Sequence, residues 1–127
     1  MVLDAGALIA LERNDRHMWA RLEAAADADL DVVVPSGALA QVWRGTANQA
    51  RLGQALNKTR LGLFDPIART AGELCQATGT SDPIDAAVVL NATGTTSVIV
   101  TSGPTDIRRL VRALPAELGS PIAILRA

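Results

Sequence analysis

A chain of 127 residues with 49% hydrophobic content can bury roughly two thirds of its unfolded surface around a single core, so residues 1–127 are read as one domain. Twelve basic and 13 acidic side chains leave a formal net charge of −1. That balance excludes a protein that meets nucleic acid or anionic lipid through bulk charge alone, while leaving room for a local basic rim.

In chain order, "VLD" (2–4) is a short apolar run ending in an acid, followed by the small residues Ala5 and Gly6 and a helical turn or two in "LIALE". "HMWARLEAAADA" (17–28) has helical composition, with Met18, Leu22 and Ala25 or Ala26 along one side. "LDVVVPS" (30–36) reads as a strand stopped by Pro35, after which Ser36 is expected to cap the helix "GALAQVWRG". "NQARLGQALNK" (48–58) is a further helix, with Leu52, Ala55 and Leu56 grouped on it, and "LGLFD" a third strand. In 66–79, Ile67, Ala71, Leu74, Cys75 and Thr78 recur at helical spacing and Gly79 stops the run. "DPIDAAVVLNATG" is a helix with Pro83 at its first position. "SVIV" is a buried strand, "PTDIRRLVRAL" a helix with Ile107, Leu110, Val111 and Leu114 inward, and "PIAIL" a last strand.

Strands that are short, apolar through their full width and separated by helices predict an α/β domain of three layers, a central parallel sheet flanked by helices. Trp19, Trp43 and Phe64 are the only large aromatics, so the core is expected to be aliphatic and alanine-rich. Cys75 is the single cysteine. It rules out an internal disulfide framework or a cysteine zinc site, is expected in the core, and fits a reducing compartment, the cytoplasm. No apolar run nears the roughly 18 residues of a membrane span, and Met1 leads into structure without a basic signal region.

In open parallel sheets, ligands gather beyond the carboxyl ends of the strands. Asp4 stands at the end of the first strand, while Asp85 and Asp106 each fall three residues after a helix-cap position, Asp82 and Gly103 respectively. Capping alone accounts for "DPID": Asp82 caps, Pro83 takes the first position and Asp85 meets the early amides. Asp4 lacks so clear a capping pattern, and "PTD" can simply open a helix. Converging carboxylates would otherwise require a divalent cation, and magnesium prefers such oxygen ligands.

These segments in this order resemble the PIN-domain family, specifically the short VapC-like toxins of toxin–antitoxin pairs. The likeness runs through "VLDAGALIALE", "VVPSGALAQVWRG", "DPIDAAVVLNA" and "VIVTSGPTDIRRL" and covers essentially the whole chain. The resemblance implies a PIN-like fold and a Mg²⁺-dependent (or Mn²⁺-dependent) endoribonuclease acting on RNA such as tRNA or rRNA. It further implies a homodimer and a cognate antitoxin whose tail blocks the site. It assigns Asp4, Asp85 and Asp106 to catalysis and metal binding, with support from Gln41, Asp82, Thr101 and Ser102. Two positions depart from the family pattern: Gln41 stands where a glutamate is usual and Gly103 where an aspartate is usual. Glutamine can still ligate a metal without contributing charge, whereas Gly103 contributes neither charge nor ligand.

Arg13 and Arg44 are the expected RNA contacts, with Arg51, Arg108 and Arg109 as further candidates and a solvated helix face as the bland account of each. The surface around Leu8–Leu11, Trp19 and Trp43 is a candidate docking face, or equally core. His17 lies remote from the acids. Rival classes are an impaired or engineered-inactive PIN domain that retains antitoxin or RNA binding, and a phosphoacceptor. The latter wants an acid beside Asp4 and a late lysine, whereas Lys58, the only lysine, is mid-chain. No GxGxxG follows the first strand, against a dinucleotide enzyme.

Overall fold

Alternation along the buried strands sets the architecture. In the computed structural model, which describes residues 1–79, 82–94, 96–119 and 121–127, Val2, Val33 and Ile99 face one side of the sheet, and Leu3, Val32, Val34 and Val100 face the other. Successive strand side chains point to opposite faces, so apolar residues at every position produce a sheet that must be covered twice. The strands are β1 (Val2–Leu3), β2 (Val33–Pro35), β3 (Arg60–Gly62), β4 (Ser97–Thr101) and β5 (Ile122–Arg126), in the order β3-β2-β1-β4-β5. Every pairing is parallel, with Val2 opposite both Val33 and Ile99.

The layer over Leu3 and Val100 comprises α1 (Ala5–Glu12), α2 (Arg16–Asp27) and α4 (Ala50–Leu56), which supply Leu8, Leu11, Met18, Leu22 and Leu52 to one cluster. The opposite layer comprises α5 (Ala68–Thr78), α6 (Pro83–Asn91) and α7 (Pro104–Arg112), which supply Leu74, Val88, Val89, Ile107 and Leu110 to the other. The short helix α3 (Ser36–Val42) leaves the carboxyl end of β2 and packs against both α1 and α6. The single α/β domain with a parallel sheet flanked by helices is therefore as expected. No aromatic residue is among the buried core residues, in line with the aliphatic, alanine-rich composition, and Cys75 is buried within the α5 cluster.

Local outcomes differ in several places. Gly79 ends α5 at φ 69°, a left-handed cap that favours glycine. Ser36 is not the cap of α3: Pro35 holds that position with no side-chain bond, and the helix stops at Val42 rather than continuing through Gly45. The reason is Gln49, a buried side chain whose Oε1 accepts from the Arg44 and Gly45 amides while its Nε2 donates to the Val42 carbonyl. Those bonds give the loop after α3 a partner that helix continuation would have removed. Leu8 and Leu11 are fully buried and so are core rather than docking surface. Trp19 donates its indole N–H to the Leu11 carbonyl, whereas Trp43 remains 42% exposed. Among the described residues, no helix is long and apolar enough to cross a membrane.

Candidate functional site

The strand order places a topological switch between β1 and β4: the chain winds outward from β1 to β3, then returns to lay β4 on the other side of β1. The loops leaving β1 and β4 consequently enter helices on opposite faces, opening a crevice at the carboxyl ends where ligands bind in such sheets. Asp4 stands at that end of β1, and Thr101, Ser102 and Gly103 at that end of β4. The crevice is tight on one side. A Cβ on Gly6 would lie 2.2 Å from Ser102 Oγ and 2.9 Å from the Ser102 amide nitrogen, so only a glycine lets the first turn of α1 approach the β4 loop.

Asp4 is buried and caps α1, its Oδ1 accepting from the Ala7 amide at 2.9 Å. This cap had no clear sequence pattern, and it gives Asp4 a structural role beside any chemical one. Asp82 caps α6 as expected, its Oδ1 accepting from the amides of Ile84 at 3.0 Å and Asp85 at 3.2 Å. Thr80 and Ser81, which precede it in the "TSDPID" stretch, lie outside the described residues. Asp82, Asp85 and Asp106 line one cleft of about 170 Å³ together with Arg109 and Leu110.

The charge in this region is crowded. Burial, then the carboxylates of Asp82, Asp4 and Asp106, push the Asp85 carboxyl up to about 6. Desolvation and like charge both disfavour the ionised form, and the four acids meet electrostatically although Asp4 does not line the cleft. Burial, reinforced by Asp82 and Asp85, also pushes the Cys75 thiol up, which keeps it protonated and inert.

The remaining expected residues are dispersed. Thr101 is buried, and its hydroxyl oxygen accepts from the Gly103 amide at 2.9 Å. Ser102 faces a separate depression with Gly6, Ile9 and Arg13. Gln41 is exposed and lines a different groove, with Arg13 and Arg44. Arg44 directs its guanidinium onto the carbonyls of Ala40, Gln41 and Trp43, at 2.8–3.3 Å. Gly103 adds nothing to the cleft, although a Cβ there would meet only Thr101 Oγ1, at 4.0 Å. Arg109 in the cleft was legible from its spacing, since Asp106 and Arg109 are three apart and share a helix side.

Comparison with family models, curated proteins and solved structures finds no match to this chain. Among the described residues, no three His, Cys, Asp or Glu side chains stand close enough to hold a metal ion as they are. The donor set is oxygen-only and negative, which suits a hard cation that keeps several of its waters and does not suit a closed protein cage.

Proposed function

We propose that this chain is a divalent-cation-dependent endoribonuclease of the PIN-domain, VapC-like type, cutting RNA such as tRNA or rRNA and restrained by a cognate antitoxin. The observation that carries this reading is the cleft shared by Asp82, Asp85 and Asp106, with Asp4 near enough for its charge to help burial push the Asp85 carboxyl up. Among the described residues of that cleft, three carboxylates against the single Arg109 leave an excess of negative charge, the electrostatic complement of Mg²⁺ or Mn²⁺. Asp85 and Asp106, which share the cleft with Asp82, would meet the ion through its retained waters, and Asp4 would add charge from outside the cleft. When bound, such an ion supplies charge neutralisation and Lewis-acid polarisation of a phosphodiester.

The chain's own groups do the rest. Asp85 accepts a hydrogen bond from the attacking water and orients it, its carboxylate form being favoured once positive charge offsets the neighbouring acids. Arg109 in the same cleft meets phosphate charge as it develops. The antitoxin and the homodimer rest on the family resemblance alone.

A second reading, an impaired member that binds without turnover, is favoured by the lack of three converging ligands among the described residues and by the missing side chain at Gly103. Cleavage of a tRNA or rRNA pool with Mg²⁺ separates the two. Cleavage by the native chain, lost in Asp85→Asn, supports the nuclease. Cleavage only after Gly103→Asp makes this chain the impaired form. Independently of activity, Mg²⁺ should lower the Asp85 titration midpoint observed by NMR. An unmoved midpoint would remove the cation from the proposal.

A further inference from the structure

The chain's cations are unevenly committed. Lys58 pairs with Glu23 and Arg60 with Asp31, while Arg21 donates to the Arg126 carbonyl and Arg44 to three carbonyls at the end of its own helix. The side chains of Arg13, Arg16, Arg51, Arg69 and Arg126 also lack a partner among the described residues but are scattered over different elements, whereas α7 carries Arg108, Arg109 and Arg112 within nine residues. All three are exposed, and none has a hydrogen-bond or ion-pair partner among the described residues.

Ile107 and Leu110 are turned into the core, which fixes the arginines on the outer side. Arg109 lines the carboxylate cleft. Arg108 and Arg112 are four residues apart, about one turn of roughly 5.4 Å. Like charges at that spacing weaken a helix. The helix dipole favours cations in the last turn and so accounts for Arg112, but it gives no reason for Arg108 one turn earlier. A phosphodiester approaching Asp82, Asp85 and Asp106 meets like charge, which cations beside the cleft offset.

We infer that the outer face of α7 is the surface that holds the RNA strand, with Arg109 at the cleft and Arg108 and Arg112 receiving adjoining phosphates of a single-stranded segment. This rests on the nuclease reading above and moves the main backbone contacts away from Arg13 and Arg44. Arg108 and Arg112 lie in one row along the helix, where they can track a single backbone, and Arg44 has much of its donor capacity already used.

The test is anisotropy of a labelled single-stranded RNA oligonucleotide in EDTA, where binding is read without turnover, over a range of salt concentrations. Arg108→Gln and Arg112→Gln should each weaken binding about two- to fivefold, as loss of an exposed ion pair does. Each should also lower the salt slope by about 0.7, the value for one phosphate on a single strand. Lysine at either position should restore the slope, which a packing defect would not allow. Unchanged affinity in both variants, or loss of binding confined to Arg13→Gln and Arg44→Gln, overturns the inference. So does tighter retention of a polyglutamate peptide than of RNA by this face, since the occupant would then be an acidic protein segment.

Adding Mg²⁺ keeps the two proposals apart. RNA cut by a chain whose α7 variants bind normally would sink the surface and leave the nuclease. Binding that depends on α7 without cleavage by the native or the Gly103→Asp chain would sink the nuclease and leave the surface.

Discussion

Asp85 opens α6 with its amide on Asp82 and its carboxyl facing three other acids, so ionising it costs more in the folded chain than in the unfolded one. The folded group titrates at about 6 against an ordinary 3.8. Below the lower value both states hold the proton. Between the two only the folded state does, and stability falls as pH rises. Above about 6 the full cost is present. Asp85→Asn should therefore be more stable than the native chain at pH 7.5, with the advantage disappearing by pH 4. Since the carboxyl is only partly buried, a gain on the order of 1 kcal/mol is expected, less than the whole shift implies. Urea denaturation at both pH values checks it, and a variant less stable at pH 7.5 would contradict the crowding. The position of Asp85 was legible in "DPID", but its proton affinity was not, because that depends on Asp4 and Asp106 arriving from distant segments. Gly6 is a second single-residue case. Gly6→Ala should cost about 1–3 kcal/mol through overpacking. Ser102→Ala should fail to rescue it, because the Ser102 Cβ and amide nitrogen also lie within 3 Å of the added carbon.

At the scale of elements, the ends of α1 and α7 invite opposite expectations. Asp4 accepts the Ala7 amide, and an asparagine oxygen can do the same. Asp4→Asn should thus stay within about 0.5 kcal/mol of the native chain, whereas Asp4→Ala should lose about 1 kcal/mol. Equal losses in the two variants, measured by denaturation, would mean that charge rather than the cap holds this turn. Gly103 begins α7 without a side-chain bond in open space, so Gly103→Asp should leave stability nearly unchanged in the absence of cations. Helical spacing made α2, α5 and α7 legible within a few residues, and the Asp82–Pro83 start did so for α6, whose residues Ala86 to Leu90 are all buried and carry no stripe. The caps were less so. Asp4 has Ala7 where a capping box would show Glu or Gln, so nothing local announced the bond. Ser36 looked like a cap, but β2 runs through Pro35 straight into α3, leaving no residue between for Ser36 to act from outside the helix.

For the whole molecule, the strand order was the least legible feature. Apolar runs identify parallel strands but say nothing about which of them are neighbours, and the return of β4 to the side of β1 decides where the crevice opens. That order also divides the core. Leu52 belongs to the cluster under α1, α2 and α4, and Ile107 to the one under α5, α6 and α7, so the two side chains share no cluster and are separated by the sheet. Leu52→Ala should cost about 2–5 kcal/mol and Ile107→Val about 0.5–1.5 kcal/mol. With no shared partners, the double variant should show their sum within about 0.5 kcal/mol. It should nevertheless unfold in one transition, because Val2 and Leu3, or Val33 and Val34, are adjacent residues serving opposite clusters, and neither layer can detach without exposing the strands that support the other. Denaturation followed by tryptophan fluorescence and circular dichroism tests both statements. Trp19 packs against the first cluster, while the dichroism averages over all helices. Coincident curves with additive losses fit one cooperative sheet, and an earlier fluorescence transition in Leu52→Ala would mean that the α1 layer can come away by itself, taking the Asp4 wall of the crevice with it.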